Sequence, residues 1–407
     1  MGDVIHQKRE NQATGTFASW SRERIAVAAH FAILGLVGGA WMSSIDDMKD
    51  ILGLNAEQLG WILFAGPVGS LVGLTCANAL IARLGSRRSL VATAGLYLAA
   101  ALVLAGCFLH RAPTPLWLAS IAVFCGSCTV MNIAVNTQCG IVERKTGRMI
   151  TNSLHAMWSM AFLAAGFLAL LAAYVGLSPG WRILGVFAAS SVAFLVFVPW
   201  LPREDDARKK VEKGKGFGLR RLDAAFVFLG VAALVILGSE GAIYNWINVF
   251  YRESLQATAG RVKWGFCVVC VTVTIGRLVT DRFVNRFGSV RILRIHSVLV
   301  AAGLGVMILS PYTGLSGLRL ILLATAGCAV AGYGISALAP ILYSKANRSR
   351  SMPAATAVTF VNTMGFLICF VSPPLVGHIA NATSLSAALG IFAVAMLGCL
   401  FIPLSDD

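Results

Sequence analysis

Twelve apolar runs fill most of this 407-residue sequence, at about 25–45, 57–82, 88–109, 115–141, 149–176, 181–201, 223–251, 261–281, 291–311, 315–344, 352–380 and 383–404. An α-helix needs roughly 17–25 such residues to cross a bilayer. In hydrocarbon each backbone N–H and C=O must find its partner within the segment, so runs of this length become helices. Composition agrees: 57% of residues are hydrophobic and 13% charged, against about 25% charged in soluble domains. The expected fold is therefore all-α, with twelve transmembrane helices and the lipid bilayer as its surroundings.

A net charge of +15 raises the question of a nucleic-acid partner, and the distribution of that charge argues against one. Of 33 Lys and Arg, 25 lie in the N-terminal tail and the loops between spans 2–3, 4–5, 6–7, 8–9 and 10–11. Seven (Lys49, Arg111, Arg182, Arg252, Arg261, Lys263 and Arg319) belong to the opposite end, and Arg277 lies in or near a span. Basic loops face the cytoplasm. The reading is a multi-pass protein of a bacterial inner membrane, with both termini cytoplasmic. The polar first residues lack a short apolar core with a cleavage site, so no signal peptide is expected. All ten cysteines lie in apolar runs. The CxxC spacings at Cys125/Cys128 and Cys267/Cys270 lack the polar loop of a zinc or redox site and read as packing residues.

The hydrophilic stretch 202–222, PREDDARKKVEKGKGFGLRRL, divides the chain into six spans and six spans. The expected organisation is a cytoplasmic tail over 1–24, a six-helix bundle over 25–201, a linker over 202–222 and a second bundle over 223–404. A repeat supports the division. GLTCANALIARLGSRRSL (73–90) and GRLVTDRFVNRFGSVRIL (276–293) fall into register at a shift of 203. Gly73 then pairs with Gly276, Asn78 with Asp281, Arg83 with Arg286, Gly85 with Gly288 and Arg88 with Arg291. Duplicated six-helix halves are a transporter architecture, with the solute site near the midplane where the halves meet.

The G-x4-[ND]-x4-R-x-G pattern, present in both halves, resembles the signature loop of the major facilitator superfamily. The strings MNIAVNTQCGIVERKTGRMITNSLHAMWS (131–159), EGAIYNW (240–246) and 332–380 are similar to its fucose-permease-related branch, in particular to YbjJ-like bacterial proteins. The resemblance implies the major facilitator fold, two pseudo-symmetric six-helix bundles, with Arg83, Gly85, Arg88, Arg277, Asp281, Gly288 and Arg291 in a cytoplasmic gate. It also marks departures. Ala82 stands where the first loop has an acid, Asn245 where the branch has Asp, and Ser44 where it has an arginine. Asn132 takes the place of a glutamate in fucose permease.

Ionisable groups inside spans are costly and mark function. Glu240 lies about 17 residues into span 7, with no basic residue between Arg221 and Arg252, and is the expected proton carrier. His155, in span 5, titrates near physiological pH and is its expected companion. Amides and aromatics in spans suit a polyhydroxylated solute. The candidates are Asn132 and Asn136 (i, i+4 in span 4), Trp158, Tyr244, Asn245, Trp246 and Asn362. The repeat sets Arg277 near the inner gate, leaving no other Lys or Arg deep in a span, so a neutral, sugar-like solute is favoured over an anion. The expected function is a monomeric secondary transporter working by alternating access and proton-coupled symport. It needs no cofactor or metal and is driven by the proton gradient. Proton-driven efflux of an amphiphile, such as a drug or siderophore, is the alternative. A membrane sensor on a transporter scaffold is the third reading. No GxxxxGK[ST] string is present, and nothing points to an enzyme.

Overall fold

The computed structural model describes residues 21–146, 150–203, 224–347 and 354–403, and among them every regular element is helical. Residues 204–223, almost all of the expected linker, and residues 1–20 of the expected tail lie outside the described residues. The long helices are α1 (Arg22–Met42), α2 (Ala56–Leu84), α3 (Ser86–His110), α4 (Thr114–Thr146), α5 (Thr151–Tyr174) and α6 (Pro179–Phe197). After the linker follow α7 (Ala224–Glu253), α8 (Trp264–Phe287), α9 (Ser289–Leu309), α10 (Gly317–Asn347), α11 (Ala354–Ala382) and α12 (Leu385–Gly398). Among the described residues, eleven spans are long and apolar enough to cross a membrane, and a further apolar stretch, Leu385–Phe401, is shorter.

Local chemistry sets the helix ends. Asn55 and Gln58 form a reciprocal capping box at the start of α2, and Ser178 with Pro179 opens α6. Glu143 of α4 accepts the backbone N–H groups of Ile150 and Thr151 at 2.7 and 2.9 Å, satisfying the open start of α5. The first span departs from the expected 25–45. Ser43 and Ser44 both donate to the Ala40 carbonyl, at 3.1 and 2.7 Å, and such side-chain bonding competes with the backbone ladder. The chain bends there and restarts as a short helix, Ile45–Leu52, with Asp46 and Asp47 in its first turn, where a helix favours acids.

The two halves pack alike. In the first, α2 lies on α4, α3 on α4 and α6, and α1 on α5 and α6; in the second, α8 lies on α10, α9 on α10 and α12, and α7 on α11 and α12. The repeat marks equivalent contacts. A Cβ on Gly73 would sit 2.2 Å from the Gly126 carbonyl, and one on Gly276 2.1 Å from the Ser336 hydroxyl. Between the halves, α2 packs on α11 and α5 on α8. Gly60 and Gly377 let α2 and α11 touch, each meeting the opposite backbone at 2.5 Å from its would-be Cβ.

Gly85 and Gly288 have φ/ψ of 83°/161° and 85°/152° and join α2 to α3 and α8 to α9. That region is open essentially to glycine alone. Gly85→Ala and Gly288→Ala are each expected to lower stability by about 1–3 kcal/mol, measured as an earlier thermal midpoint in detergent. An unchanged midpoint for both would show that the turns tolerate another conformation.

Candidate functional site

Near the middle of the bundle, one carboxylate and one guanidinium face each other. Glu240 is sixteen residues from the start of α7 and thirteen from its end, or about 24 and 20 Å at 1.5 Å per residue. Arg277 of α8 brings Nη2 to 3.9 Å from its Oε1, with side-chain exposures of 35% for Arg277 and 20% for Glu240. The contact is an ion pair too long for a hydrogen bond. No hydrogen bond from a described residue reaches Glu240, and Arg277 Nε is buried without a partner. Arg277 Nη1 instead donates to Ser159 of α5 at 3.1 Å, crossing from one half to the other. Arg277, expected at the inner gate, therefore lies in the interior. Helix α8 continues to Phe287, so ten residues, about 15 Å, separate it from the turn at Gly288.

Of the expected site residues, His155 and Tyr244 lie in electrostatic reach of this pair. His155 is within electrostatic reach of Arg277, and its ring lies 4.9 Å from that of Phe31. Tyr244, one turn after Glu240, Tyr343 of α10 and Cys369 of α11 are within reach of Glu240. Tyr343 also donates its hydroxyl to Asn362 Oδ1 at 2.8 Å, joining α10 to α11. Trp158 stacks on Phe162 (5.1 Å, 25°), whose ring meets Tyr244 edge-on at 5.6 Å. In α4, Asn136 donates to Asn132 Oδ1 at 3.0 Å and to its carbonyl at 2.8 Å, so the two amides form one half-buried patch.

Trp246 departs from expectation. It is 1% exposed and part of the core. Two residues beyond Tyr244, it points about 200° away around the helix, so the face carrying Glu240 and Tyr244 cannot carry Trp246 as well. Asn245 is half-buried, about 140° from Glu240. His30 and His296 are buried and bonded to carbonyls of Ala26 and Gly334, as packing residues.

The end of the bundle opposite the glycine turns holds a charge network. Lys263, at the start of α8, donates to both carboxylate oxygens of Asp46 at 2.7 and 2.8 Å, to Asp47 at 2.9 Å and to the Ser43 carbonyl at 2.8 Å. Arg252, at the end of α7, reaches Asp46 (2.6 Å), Asp47 (2.9 Å) and Asp50. Lys49 pairs with Glu253, and Arg182 of α6 pairs with Asp47 at 3.6 Å and donates to Ser44. Position 44 itself carries no cation, and the Arg182 guanidinium lies against its hydroxyl. Beside the network, Glu57 of α2 pairs with His378 of α11 at 3.3 Å, and Trp264 donates to Tyr174 at 2.9 Å. Ion pairs between described side chains of the two halves lie here and join the Ile45–Leu52 helix to the end of α7 and the start of α8, while the Glu57–His378 contact joins α2 to α11. Asp46 and Lys263 are 0% and 2% exposed at their side chains. Buried pairs of this kind are strongly destabilised when one partner alone is removed.

Sequence reasoning counted Lys49, Arg182, Arg252 and Lys263 as topology charges and missed this network. One signal was available: two adjacent aspartates at the end of an apolar run, on the end with few cations.

At the basic end, Arg83, Arg88 and Arg291 are exposed. Arg286 and Arg291 both lie over the Phe287 ring, at 5.4 and 5.7 Å. The repeat residue Ser86 accepts from Gln138 of α4 at 2.7 Å, and Arg87 donates to the Val198 carbonyl at 3.3 Å. The Asp281 side chain lies outside the described residues. No group of three or more metal-ligating side chains occurs among the described residues.

The chain is 28% identical to an uncharacterised MFS-type transporter of Yersinia pestis over 92% of its own length and 93% of the relative's. It is 28% identical to membrane protein MosC of Rhizobium meliloti, over 91% and 86% of the two chains. The fold is similar to the crystal structure of a mutant of the nucleoside transporter NupG, with a TM-score of 0.73 at 15% identity over 93% and 98% of the chains. The family model described as Major Facilitator Superfamily matches residues 25–373. With the main helices of the described residues in two like-packed sets of six, the repeated glycine turns and that match, the chain belongs to the major facilitator superfamily of membrane transporters.

Proposed function

We propose that the chain couples movement of a small polar solute to that of a proton, with Glu240 as the proton carrier and Arg277 as its counter-ion. The observation that carries this reading is the loose Glu240–Arg277 pair at mid-membrane, 3.9 Å apart and part-exposed. A carboxylate held there by one long contact is free to take up a proton or face a solute, because no hydrogen bond from a described residue holds it. Asn132, Asn136, Trp158, Tyr343 and Asn362 offer the amides and aromatic faces that a solute with hydroxyls needs. His155 stands within reach of Arg277 as a further partner for the bound solute.

Alternating access supplies the mechanism. In the state described, the network around Asp46 and Lys263 seals one end. On the opposite, basic end, the turns at Gly85 and Gly288, with Arg83, Arg88, Asp281 and Arg291, form the closure of the other state. The positive-inside pattern supports placing that basic end on the cytoplasmic side of a bacterial inner membrane, with one chain as the working unit. The solute site then opens inward.

The test is uptake of labelled sugars, polyols, amino acids and carboxylates into proteoliposomes, with and without an imposed pH gradient. The expected result is accumulation of one class only when the gradient is present. Expulsion of an amphiphilic dye instead would support efflux, and binding without flux a sensor.

A further inference from the structure

We infer that the solute is a small hydroxylated monocarboxylate, whose carboxylate takes the free side of Arg277 when Glu240 is protonated. This rests on the proton-coupled reading above and adds the solute's charge.

A neutral solute is expected only where no cation lies deep in a span, and Arg277, ten residues from the turn at Gly288, is such a cation. Arginine carries five N–H donors in a fork that fits a carboxylate at two points. Here one donor goes to Ser159, and the contact with Glu240 is 3.9 Å. The Arg277 side chain is 35% exposed; Nε is buried, so a solute would approach the terminal Nη groups.

Charge decides between solutes. Among the described residues, the titratable groups in electrostatic reach of the pair are His155 of α5 and the uncharged hydroxyls and thiols of Tyr244, Tyr343, Cys270 and Cys369. The empty site, an ionised Glu240 beside Arg277, carries no net charge when His155 is neutral. Adding one proton leaves Arg277 uncompensated, and an unpaired charge in an apolar interior is expensive. A monoanion restores neutrality. A neutral sugar does not, so its proton-loaded complex must cross with a net positive charge. A zwitterion leaves the site neutral without any proton and so gives no coupling. An amine together with a proton makes the imbalance worse. Of these classes, only a monoanion gives neutral empty and loaded states that differ by one proton. The Asn132–Asn136 patch and the Tyr343–Asn362 pair, donors and acceptors on opposite halves, then meet the hydroxyls. No bond to carbon is made or broken; the proton moves onto Glu240 on binding and off it on release.

The test uses purified full-length protein in detergent and three probe series: lactate, glycerate, gluconate and galacturonate; glycerol, glucose and galactose; ethanolamine and glucosamine. Thermal shift should rank a carboxylate above its neutral and amine counterparts. Calorimetry in buffers of different ionisation enthalpy should show about one proton taken up per carboxylate bound. Affinity should fall about tenfold per pH unit once Glu240 is ionised in the empty protein. Arg277→Gln should weaken the carboxylate by about 30-fold or more, and Arg277→Lys should recover part of that. Glu240→Gln should bind it with no proton uptake. Stabilisation by sugars or amines alone, binding by none of the carboxylates, or binding without proton uptake in the wild type overturns the inference. Gradient-driven accumulation of a sugar leaves proton coupling standing and removes only the carboxylate. Gradient-independent behaviour with every probe removes the coupling itself.

Discussion

Lys263→Met should open the sealed end. Its ammonium makes four short contacts: two to Asp46, one to Asp47 and one to the Ser43 carbonyl. Removing it leaves Asp46, with 0% side-chain exposure, with Arg252 as its remaining ion-pair partner among the described side chains. Breaking a buried pair from one side costs about 3–5 kcal/mol. That cost falls on the closed state alone, since parting the halves returns Asp46 to water. A bias of about 3 kcal/mol moves a two-state population by roughly 150-fold. Spin labels at Thr114 and Ser316, exposed on the two halves at this end, should therefore show a longer distance in the variant, in a background lacking the exposed Cys76. Transport should fall, because a carrier held in one state cannot cycle. Lys263→Arg, which keeps the charge, should keep the shorter distance. Equal distances in wild type and Lys263→Met would mean that packing of α2 on α11 closes this end and the ion pairs merely decorate it.

That network explains what could and could not be seen in the sequence. The helices were legible because hydropathy is a local property, and the pairing of Gly85 with Gly288 was legible because a turn of one shape recurs with the same residues. Their backbone angles agree within 2° in φ and 9° in ψ. Glu240 stood out because an acid in an apolar run is conspicuous by itself. Its partner did not. Arg277 lies 37 positions away on another helix, and the repeat drew attention to the turn rather than to the interior. Lys263 and Asp46 are 217 positions apart, so their meeting depends on how the two halves close. Trp246 shows the opposite limit. Its residue type suited a solute site, but the helical phase set by Glu240 and Tyr244 turned it into the core.

Glu240→Gln fixes the site in a form equivalent to the protonated one. The variant should bind solute and exchange it across a liposome membrane, because exchange returns the same loaded state in both directions. It should not accumulate solute when a pH gradient is imposed, since no group at mid-membrane releases a proton on the far side. The effect is large because no second carboxylate is at hand. Asn132 and Asn245 are amides rather than acids, and Asp46 and Asp47 are engaged at the opposite end with Lys263, Arg252 and Arg182. Arg277 sharpens the outcome. In the wild type the empty site is neutral with Glu240 ionised, so return of the unloaded carrier is allowed. In Glu240→Gln the unloaded site carries the lone charge of Arg277, and its return should be slowed far more than exchange. Net uptake should thus collapse while exchange persists. Pairing the change with Arg277→Gln removes the lone charge and should restore the unloaded return step without restoring accumulation. Full gradient-driven accumulation by Glu240→Gln would place the proton on another group. Loss of exchange together with accumulation would show that Glu240 serves to hold the solute rather than the proton.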